Sequence, residues 1–352
     1  MSERVQTVEV KLPVNGYRIL IGPWAETKAE LAELTAKRRT LRVADSNTTK
    51  LLPLEAGETE WVFPAGEASK TFETTARLCA AAAKAGCDRS SIMVALGGGV
   101  VGDLTGFAAA IYMRGIDFVQ IPTSLLAMVD SSVGGKTGVD LLEGKNLVGA
   151  FHQPKLVLID PAFLKTLPLR ERVGALAEVV KYAVIFDADF FAELERDAEK
   201  LIAPEPDPVL FAEVIRRCCQ LKADIVAEDE REEGRRALLN YGHTYGHAAE
   251  MLSDFRLSHG EAVAIGMVLA GRLAYRNGYW SGEEFERQRR LLTRLGLPTG
   301  LDPLYSREAM LELMARDKKN RQGKRTFILP AAIGRAEIVR TLEVEAVREA
   351  MK

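Results

Sequence analysis

Over the first 160 residues, short segments in which apolar and polar residues alternate, as in β-strands, are separated by longer segments with helical periodicity. Residues 5–12 and 17–21 flank Asn15-Gly16, a pair typical of a tight hairpin turn. Further strands are predicted at residues 40–44, 61–63, 91–96, 118–121 and 156–159, and helices at 25–34, 72–85 and 104–112. This alternation indicates a Rossmann-like α/β domain, with a mostly parallel sheet and helices on both faces.

Helical periodicity dominates the remainder of the chain. Helices are predicted at residues 172–186, 190–201, 208–227, 237–252, 261–277 and 282–295, and strands only at 325–329 and 336–340. The sequence therefore predicts an α/β domain over residues 1–165 and a mainly α-helical domain over residues 166–352.

Composition excludes several classes of protein. The chain has 352 residues, of which 47% are hydrophobic and 27% charged, as in an ordinary soluble globular protein. Its formal net charge of −2 gives no global positive field for nucleic acid or an anionic membrane. We find no signal peptide and no apolar run long enough for a membrane span. The four cysteines show no disulfide framework, so we expect reduced thiols and a cytoplasmic protein without nucleic-acid or membrane partners.

Three of the four histidines, His243, His247 and His259, lie in one stretch of the chain. On a helix, His243 and His247 would lie one turn apart on the same face, and Glu250 follows on that face. This spacing is typical of metal ligands, and a third histidine could complete three corners of a zinc site. The alternative is a pair of core histidines and one surface histidine.

A glycine pattern follows the strand at residues 91–96. Gly97-x-Gly99-x-x-Gly102 leads into a predicted helix, as in a dinucleotide-binding turn whose backbone amides approach a pyrophosphate. The usual acidic residue about twenty positions downstream is missing, and Asp45, upstream, is the best candidate for a ribose ligand. The alternative is a tight turn that binds nothing.

Two other segments combine charge with glycine or apolar residues. Residues 130–138 and 144–146 are predicted to form a glycine-rich loop in which lysines make a phosphate cradle, with a solvated flexible loop as the alternative. Glu178 and Lys181 lie three residues apart on an otherwise apolar helical face, where charges are costly unless they are paired or bind something. They are interpreted either as an ion pair or as a carboxylate metal ligand, Glu178, beside a lysine. With the dinucleotide turn, these features suit oxidation of an alcohol on a phosphorylated substrate.

The motifs at residues 96–103, 130–139, 144–151, 177–182, 239–247 and 259–263 together resemble those of the 3-dehydroquinate synthase family, within the sugar phosphate cyclases. Ala183 departs from the pattern, since the family usually has glycine there. The resemblance implies conversion of 3-deoxy-D-arabino-heptulosonate 7-phosphate to 3-dehydroquinate and phosphate, with catalytic NAD+ and a divalent metal, Zn2+ or Co2+. It implies transient oxidation, phosphate elimination, re-reduction and aldol closure, and assigns NAD+ to the first domain and metal and substrate to the second.

The resemblance also assigns residues to roles. The metal ligands would be Glu178, His243 and His259, which leaves His247 as a polar partner near the substrate phosphate. The other residues near the substrate would be Asp130, Lys136, Asn146, Lys181, Lys222, Arg236, Asn240 and Lys319 or Lys318, with Lys319 favoured, and Arg114 from the neighbouring subunit of a homodimer. The NAD+ contacts would be Asp45, Asn47, Glu67, Lys70, Gly98, Gly99, Val100, Asp103, Thr123, Ser124, Lys136, Lys145, Phe163, Thr166, Leu167 and Glu171.

Other functions fit parts of the sequence. One alternative is another sugar phosphate cyclase, acting on glucose 6-phosphate or sedoheptulose 7-phosphate, although Lys222 and Arg236 suit a substrate carboxylate. A second is a metal-dependent NAD polyol or glycerol-phosphate dehydrogenase. A third is a non-catalytic NAD-binding regulatory protein.

Overall fold

The computed structural model describes residues 5–54, 58–315 and 326–352. The chain forms two compact units, one of residues 1–167 and 207–231 and the other of residues 168–206 and 232–352. Residues 207–231 fall within the predicted second domain, yet they belong to the first unit because their helix packs against its N-terminal strands. The two predicted domains, with NAD+ assigned to one and metal to the other, stay a prediction.

The first unit contains the strands β1 Gln6–Val10, β2 Tyr17–Ile21, β3 Thr40–Asp45, β4 Thr59–Phe63, β5 Ile92–Gly97, β6 Asp117–Pro122 and β9 Leu156–Ile159. They form one seven-stranded sheet in the order β1-β2-β9-β6-β5-β3-β4. Neighbouring strands are parallel except β1 and β2, which form the predicted hairpin. β5 is buried along its whole length, as expected for a parallel strand with both faces covered. The predicted α/β class is thereby confirmed.

The described residues of this unit form the α-helices α1 Trp24–Thr35, α2 Phe72–Lys84, α3 Gly99–Ile111 and α6 Pro208–Glu228. Apolar side chains of α2 and α3 form one buried cluster with β3 and β5. The cluster fixes the start of α3 directly after β5, where the glycine pattern lies.

The predicted glycine-rich loop is wrong. Lys136–Leu141 and Gly144–Phe151 are two antiparallel strands, β7 and β8, preceded by a π-helical turn at Ala127–Ser131. Thr137 and Val139 are buried on one side of β7, which anchors the hairpin. Closely spaced glycines and lysines mask this alternation in the sequence.

The second unit is mainly helical, with α4 Leu169–Phe186, α5 Ala188–Leu201, α7 His243–Leu252, α8 His259–Arg276, α9 Gly282–Arg294, α10 Arg307–Ala315, α11 Val344–Glu349 and the hairpin β10 Phe327–Ala332 and β11 Arg335–Val339. Within the three described ranges, no helix has both the length and the apolar character needed to cross a membrane.

The helix predicted at residues 237–252 is interrupted. A 3-10 turn covers Arg235–Asn240, Gly242 has φ 79°, and α7 begins at His243. A Cβ atom at Gly242 would lie 2.7 Å from the Met267 side chain and 2.9 Å from the Val263 carbonyl oxygen. Both the left-handed conformation and the close approach to α8 therefore favour glycine. This break fixes where His243 enters its helix.

Candidate active site

Three electron-donating side chains meet in the second unit. Glu178 lies in α4, while His243 and His259 are the first residues of α7 and α8. Glu178 Oε1 lies 3.4 Å from His243 Nε2 and 3.3 Å from His259 Nε2. All three ligand atoms lie within 4.8 Å of one another, a group that could hold a metal ion.

The other ring nitrogen of each histidine faces an acceptor. His243 Nδ1 lies 3.0 Å from the Tyr241 carbonyl oxygen, and His259 Nδ1 lies 3.6 Å from Glu250 Oε2. Because these partners can only accept, they favour the tautomers with a proton on Nδ1, which leaves Nε2 as a lone pair. Two nitrogen lone pairs and a carboxylate oxygen then converge, an arrangement that suits a divalent cation such as zinc.

The surrounding charges determine how these ligands are protonated in the absence of a metal ion. Burial raises the pKa of Glu178, but Lys181 and His259 outweigh it and hold the pKa at about 2. Burial lowers the pKa of His259, whereas Glu178 and Glu250 raise it to about 9. A metal ion would therefore replace a proton on His259, since only the neutral imidazole can be a ligand. Lys181 is buried and pairs with Glu178 Oε2, so that Oε1 faces the histidines.

His247 lies one turn after His243 in α7. Its ring centroid is 5.3 Å from that of His243 and 6.1 Å from that of His259. Among the described residues, the group of converging ligand atoms contains Glu178, His243 and His259 and not His247. Spacing alone therefore pairs His243 with a histidine outside this group, whereas the set implied by the family resemblance comes together.

The segment before α7 holds two more predicted substrate residues. Arg236 is almost fully buried (1% exposed) in the 3-10 turn. Asn240 Nδ2 donates to Glu232 Oε1 at 2.6 Å and to the Ala237 carbonyl at 3.2 Å. These contacts hold the Asn240 amide in a fixed orientation beside the start of α7. Lys318 and Lys319 lie outside the described residues.

In the first unit, the predicted dinucleotide turn lies between β5 and α3. Gly98 precedes α3 and has no side chain to cap the helix amides. A Cβ atom on Gly98 would lie 3.3 Å from Ser124 Oγ, and one on Gly99 would lie 3.1 Å from Ser131 Oγ. The turn thus combines uncapped amides at a helix N-terminus with a backbone that packs closely on two serine side chains, and such amides fit a pyrophosphate.

The strands on either side of β5 bring other predicted NAD+ contacts to the same edge. Asp45 ends β3, and Thr123 and Ser124 follow β6. Carboxyl ends of parallel strands meet at one edge, where α/β sheets bind ligands. Asp45 Oδ1 also accepts from the backbone amides of Asn47 and Thr48, so this oxygen already stabilises its own turn.

Lysines neutralise two carboxylates of the first unit. Lys70 Nζ lies 2.6 Å from Asp103 Oδ2 and 2.6 Å from Asn146 Oδ1. Burial lowers the pKa of Lys70, but Asp103, Glu67 and Asp140 together raise it by more, so Lys70 remains charged. Lys222 Nζ similarly lies 2.5 Å from Asp130 Oδ1 and 2.8 Å from the Asp130 carbonyl. In each of these pairs one lysine balances the carboxylate, whereas Glu178 in the second unit also faces two imidazole nitrogens.

The remaining predicted contact residues lie in separate segments of the chain. Thr166 Oγ1 donates to the Phe163 carbonyl oxygen at 2.8 Å, in the 3-10 segment after β9 that leads to Leu167. Arg114 is exposed and has φ 68°. The other exposed residues are Asn47, Glu67, Lys136, Asn146, Thr166 and Glu171, while Lys145 is half-buried and Val100 lies in the first turn of α3.

Some residues with a place in this site carried no assignment from the sequence. The pattern put Glu250 on the histidine face without a role, and its contact with His259 Nδ1 emerges only when α7 and α8 are packed together. The Tyr241 carbonyl, which faces His243 Nδ1, is a backbone group and leaves no trace in residue type. The sequence did not single out Glu232, because this residue lies in a run of acidic residues typical of a protein surface.

Two family models match the chain in succession. The N-terminal model of 3-dehydroquinate synthase covers residues 60–174 and the C-terminal model covers residues 175–320. A curated 3-dehydroquinate synthase from Nostoc punctiforme is 45% identical over 361 aligned positions, which span 98% of each chain.

Solved structures of sugar phosphate cyclases are similar in fold. A 2-epi-5-epi-valiolone synthase from Streptomyces hygroscopicus subsp. jinggangensis, with NAD+ and Zn2+ bound, has a TM-score of 0.85 at 31% identity over 95% of both chains. A 2-deoxy-scyllo-inosose synthase complexed with carbaglucose-6-phosphate, NAD+ and Co2+ has a TM-score of 0.87 at 26% identity, over 98% of this chain and 99% of that one.

Proposed function

The chain belongs to the 3-dehydroquinate synthase family, and we propose that it converts 3-deoxy-D-arabino-heptulosonate 7-phosphate to 3-dehydroquinate and phosphate as an NAD+- and metal-dependent lyase. The observation that carries this proposal is the convergence of Glu178 Oε1 with the Nε2 atoms of His243 and His259. It places a metal-type ligand set in a chain whose structural relatives bind NAD+ together with Zn2+ or Co2+.

The metal would be held by Glu178, His243 and His259, and Zn2+ or Co2+ would suit their mixed nitrogen and oxygen donors. When bound, such an ion polarises an alcohol oxygen and favours its oxidation. The chain's own residues prepare this site. Lys181 holds Glu178 Oε2 and keeps the carboxylate ionised, while Tyr241 and Glu250 orient the two imidazoles.

NAD+ would bind at the carboxyl edge of the parallel sheet. The amides of Gly98, Gly99 and Val100 suit the pyrophosphate, and the second oxygen of Asp45 suits a ribose hydroxyl. When bound, the nicotinamide takes up a hydride and returns it within one turnover. The residues that would complete the contacts are Asn47, Glu67, Lys70, Asp103, Thr123, Ser124, Lys136, Lys145, Phe163, Thr166, Leu167 and Glu171.

The substrate is an anion with a phosphate and a carboxylate, and basic and amide groups would bind it. Arg236 and Lys222 suit the carboxylate and hydroxyls, and Asp130, paired with Lys222, provides an acceptor for a substrate hydroxyl. The phosphate and remaining polar groups would contact Lys136, Asn146, Lys181, Asn240, His247 and Lys319.

We also propose a cytoplasmic homodimer in which Arg114 reaches the neighbouring subunit's substrate. Arg114 is exposed in a left-handed conformation between exposed Met113 and Gly115. Four free cysteines are compatible with a reducing compartment.

Phosphate release tests the activity directly. Purified protein with the heptulosonate phosphate and NAD+ should release phosphate without net accumulation of NADH, and a metal chelator should abolish the release. Accumulation of NADH in proportion to product would instead indicate a dehydrogenase, and no phosphate release from any candidate sugar phosphate, with NAD+ still bound, would favour a regulatory protein.

A second sugar phosphate cyclase activity is the nearest competitor, because a valiolone synthase is 31% identical over 95% of the chain. Turnover should be compared on the heptulosonate phosphate, sedoheptulose 7-phosphate and glucose 6-phosphate at equal concentration. Preference for either substrate that lacks the carboxylate would refute the proposed function.

A further inference from the structure

One face of α4 leads from the surface of the second unit to the candidate metal site. Arg170, Gly174 and Glu178 are spaced four residues apart, and helical residues at this spacing share a face. The Arg170 side chain is 64% exposed, whereas that of Glu178 is fully buried. This face therefore connects an exposed cation with a candidate metal ligand.

Gly174 meets the backbone of α8 at Gly260, the residue after His259. A Cβ atom on Gly260 would lie only 1.9 Å from the Gly174 carbonyl oxygen and 2.4 Å from its carbonyl carbon. Because the clash is with backbone atoms, rotation of a side chain cannot relieve it. Glycine at position 260 thus permits the close approach of α4 and α8 beside His259.

Arg170 closes this contact on the exposed side. Its Nε and Nη2 donate to the two carboxylate oxygens of Glu261 at 3.0 and 2.8 Å, and Nη2 lies 3.2 Å from the Arg256 carbonyl. Glu261 also caps α8, since its Oε2 accepts from the Ser258 amide and Ser258 Oγ accepts from the Glu261 amide. The bidentate pair therefore ties α4 to the turn that begins with His259.

Packing beside this contact is incomplete. An open pocket of about 400 Å³ lies there, lined mainly by Leu169, Val173, Ile202, Leu295, Gly296 and Leu297. Apolar side chains do not fill this flank, so they do not fix the spacing of the two helices from that side. On this flank, the Arg170–Glu261 ion pair and the Gly174–Gly260 contact set the spacing of α4 and α8.

We propose that Arg170, Glu261 and Gly260 are positioning residues for the metal ion. They set the separation of Glu178 Oε1 and His259 Nε2, which is 3.3 Å, and thereby the affinity for a divalent cation. None of the three contacts the ion itself. The inference rests on the metal site of the proposed function and adds the residues that set the geometry of that site.

Metal binding by variants tests this inference without an activity measurement. The affinities of purified protein for Zn2+ and Co2+ would be measured by competition with a chelator. We expect Gly260→Ala to weaken binding about 100-fold and Arg170→Met about 10-fold, in the range known for residues that orient metal ligands. Arg170→Lys, which keeps the charge but loses the planar fork, should lie between Arg170→Met and the unchanged protein.

Gly271→Ala is the matched control, because Gly271 lies near the opposite end of α8 and its added Cβ would also meet a neighbour, Trp280, at 2.9 Å. Gly271→Ala should retain Zn2+ affinity within about twofold, because this position is distant from the metal ligands and distant sites act independently. The visible absorption spectrum of the Co2+-loaded protein should change in Gly260→Ala and Arg170→Met and stay unchanged in Gly271→Ala.

The outcomes separate the two claims. If the unchanged protein binds neither Zn2+ nor Co2+, the metal site of the proposed function is wrong. If it binds but folded Arg170→Met binds with equal affinity and an equal spectrum, the positioning inference is overturned while the metal site stands. Equal loss in Gly271→Ala and Arg170→Met would also overturn it, since the effect would then be one of general stability. Arg170→Met changes an exposed side chain, so it keeps the test usable should Gly260→Ala fail to fold.

Discussion

Carboxylates that pair with a lysine have different surroundings in the two units. In the first unit, Asp103 and Asp130 each have a lysine within hydrogen-bonding distance, so their charge is already balanced. In the second unit, Glu178 has one oxygen near Lys181 and turns the other toward two imidazole nitrogens. The comparison shows that a carboxylate near a lysine does not by itself mark a metal site. The distinguishing feature is a second oxygen that faces further electron donors.

The largest expected effect comes from removing a metal ligand. His243→Ala and His259→Ala should each lose bound metal, by more than the ~100-fold that loss of an outer contact can cost. His247→Ala should retain the metal but lose rate. Metal content of the purified proteins and the rate of phosphate release measure the two effects. Equal metal loss in all three variants would place His247 among the ligands.

Glu178→Gln should remove the metal and also weaken the apo fold. Lys181 is buried and would be left without its carboxylate partner, and breaking a buried ion pair costs about 3–5 kcal/mol. Denaturant unfolding in the presence of a chelator measures this cost independently of the metal. As a control, Glu199→Gln removes an exposed partner of Arg294 and should leave the free energy of unfolding nearly unchanged, because solvent screens this ion pair. Equal stability losses in the two variants would contradict the account of Glu178.

The substitution Lys70→Met tests the lysine-paired carboxylates of the first unit. The substitution leaves Asp103 without its lysine at the start of α3, beside the amides proposed for the pyrophosphate. Negative charge there repels an anion, so NAD+ affinity should fall by about tenfold, which corresponds to ~1.4 kcal/mol. Calorimetric titration with NAD+ measures the change, and Zn2+ affinity should be unaltered. Loss of Zn2+ with unchanged NAD+ binding would show that the two ligand sites have been assigned to the wrong units.

Tyr245→Phe is expected to have the smallest effect. Tyr245 lies between His243 and His247 in α7, and its hydroxyl donates to the Val347 carbonyl in α11 at 3.1 Å. Loss of this hydrogen bond should cost about 1 kcal/mol of stability. Zn2+ affinity should change little, because the aromatic ring still packs on Phe327. A large loss of metal in this variant would mean that α11 controls the ligand geometry.

Much of the fold could be predicted from periodicity. The alternating strands and helices of the first unit follow directly from it, as does the helical character of the second. The segment 207–231 could not be placed, because helical periodicity does not say which core a helix joins. The β7–β8 hairpin was hidden by glycine and lysine, whose presence favoured a loop.

The site was less accessible to spacing rules. The rule that residues four apart share a helical face pairs His243 with His247, and this holds within α7. His259 and Glu178 instead approach His243 through helix packing, which depends on the backbone contacts at Gly242 and Gly260. Only the resemblance to a family, and no property of the residues taken singly, indicated that three separate motifs supply one ligand set.

X-ray absorption at the zinc edge tests the central claim most directly. Protein loaded with one equivalent of Zn2+ should show two imidazole ligands at about 2.0–2.1 Å together with oxygen ligation. The signal should fall to a single imidazole in His259→Ala if any zinc is retained, and it should be unchanged in His247→Ala. Three imidazole ligands in the unchanged protein, or the loss of one in His247→Ala, would contradict the ligand set of Glu178, His243 and His259.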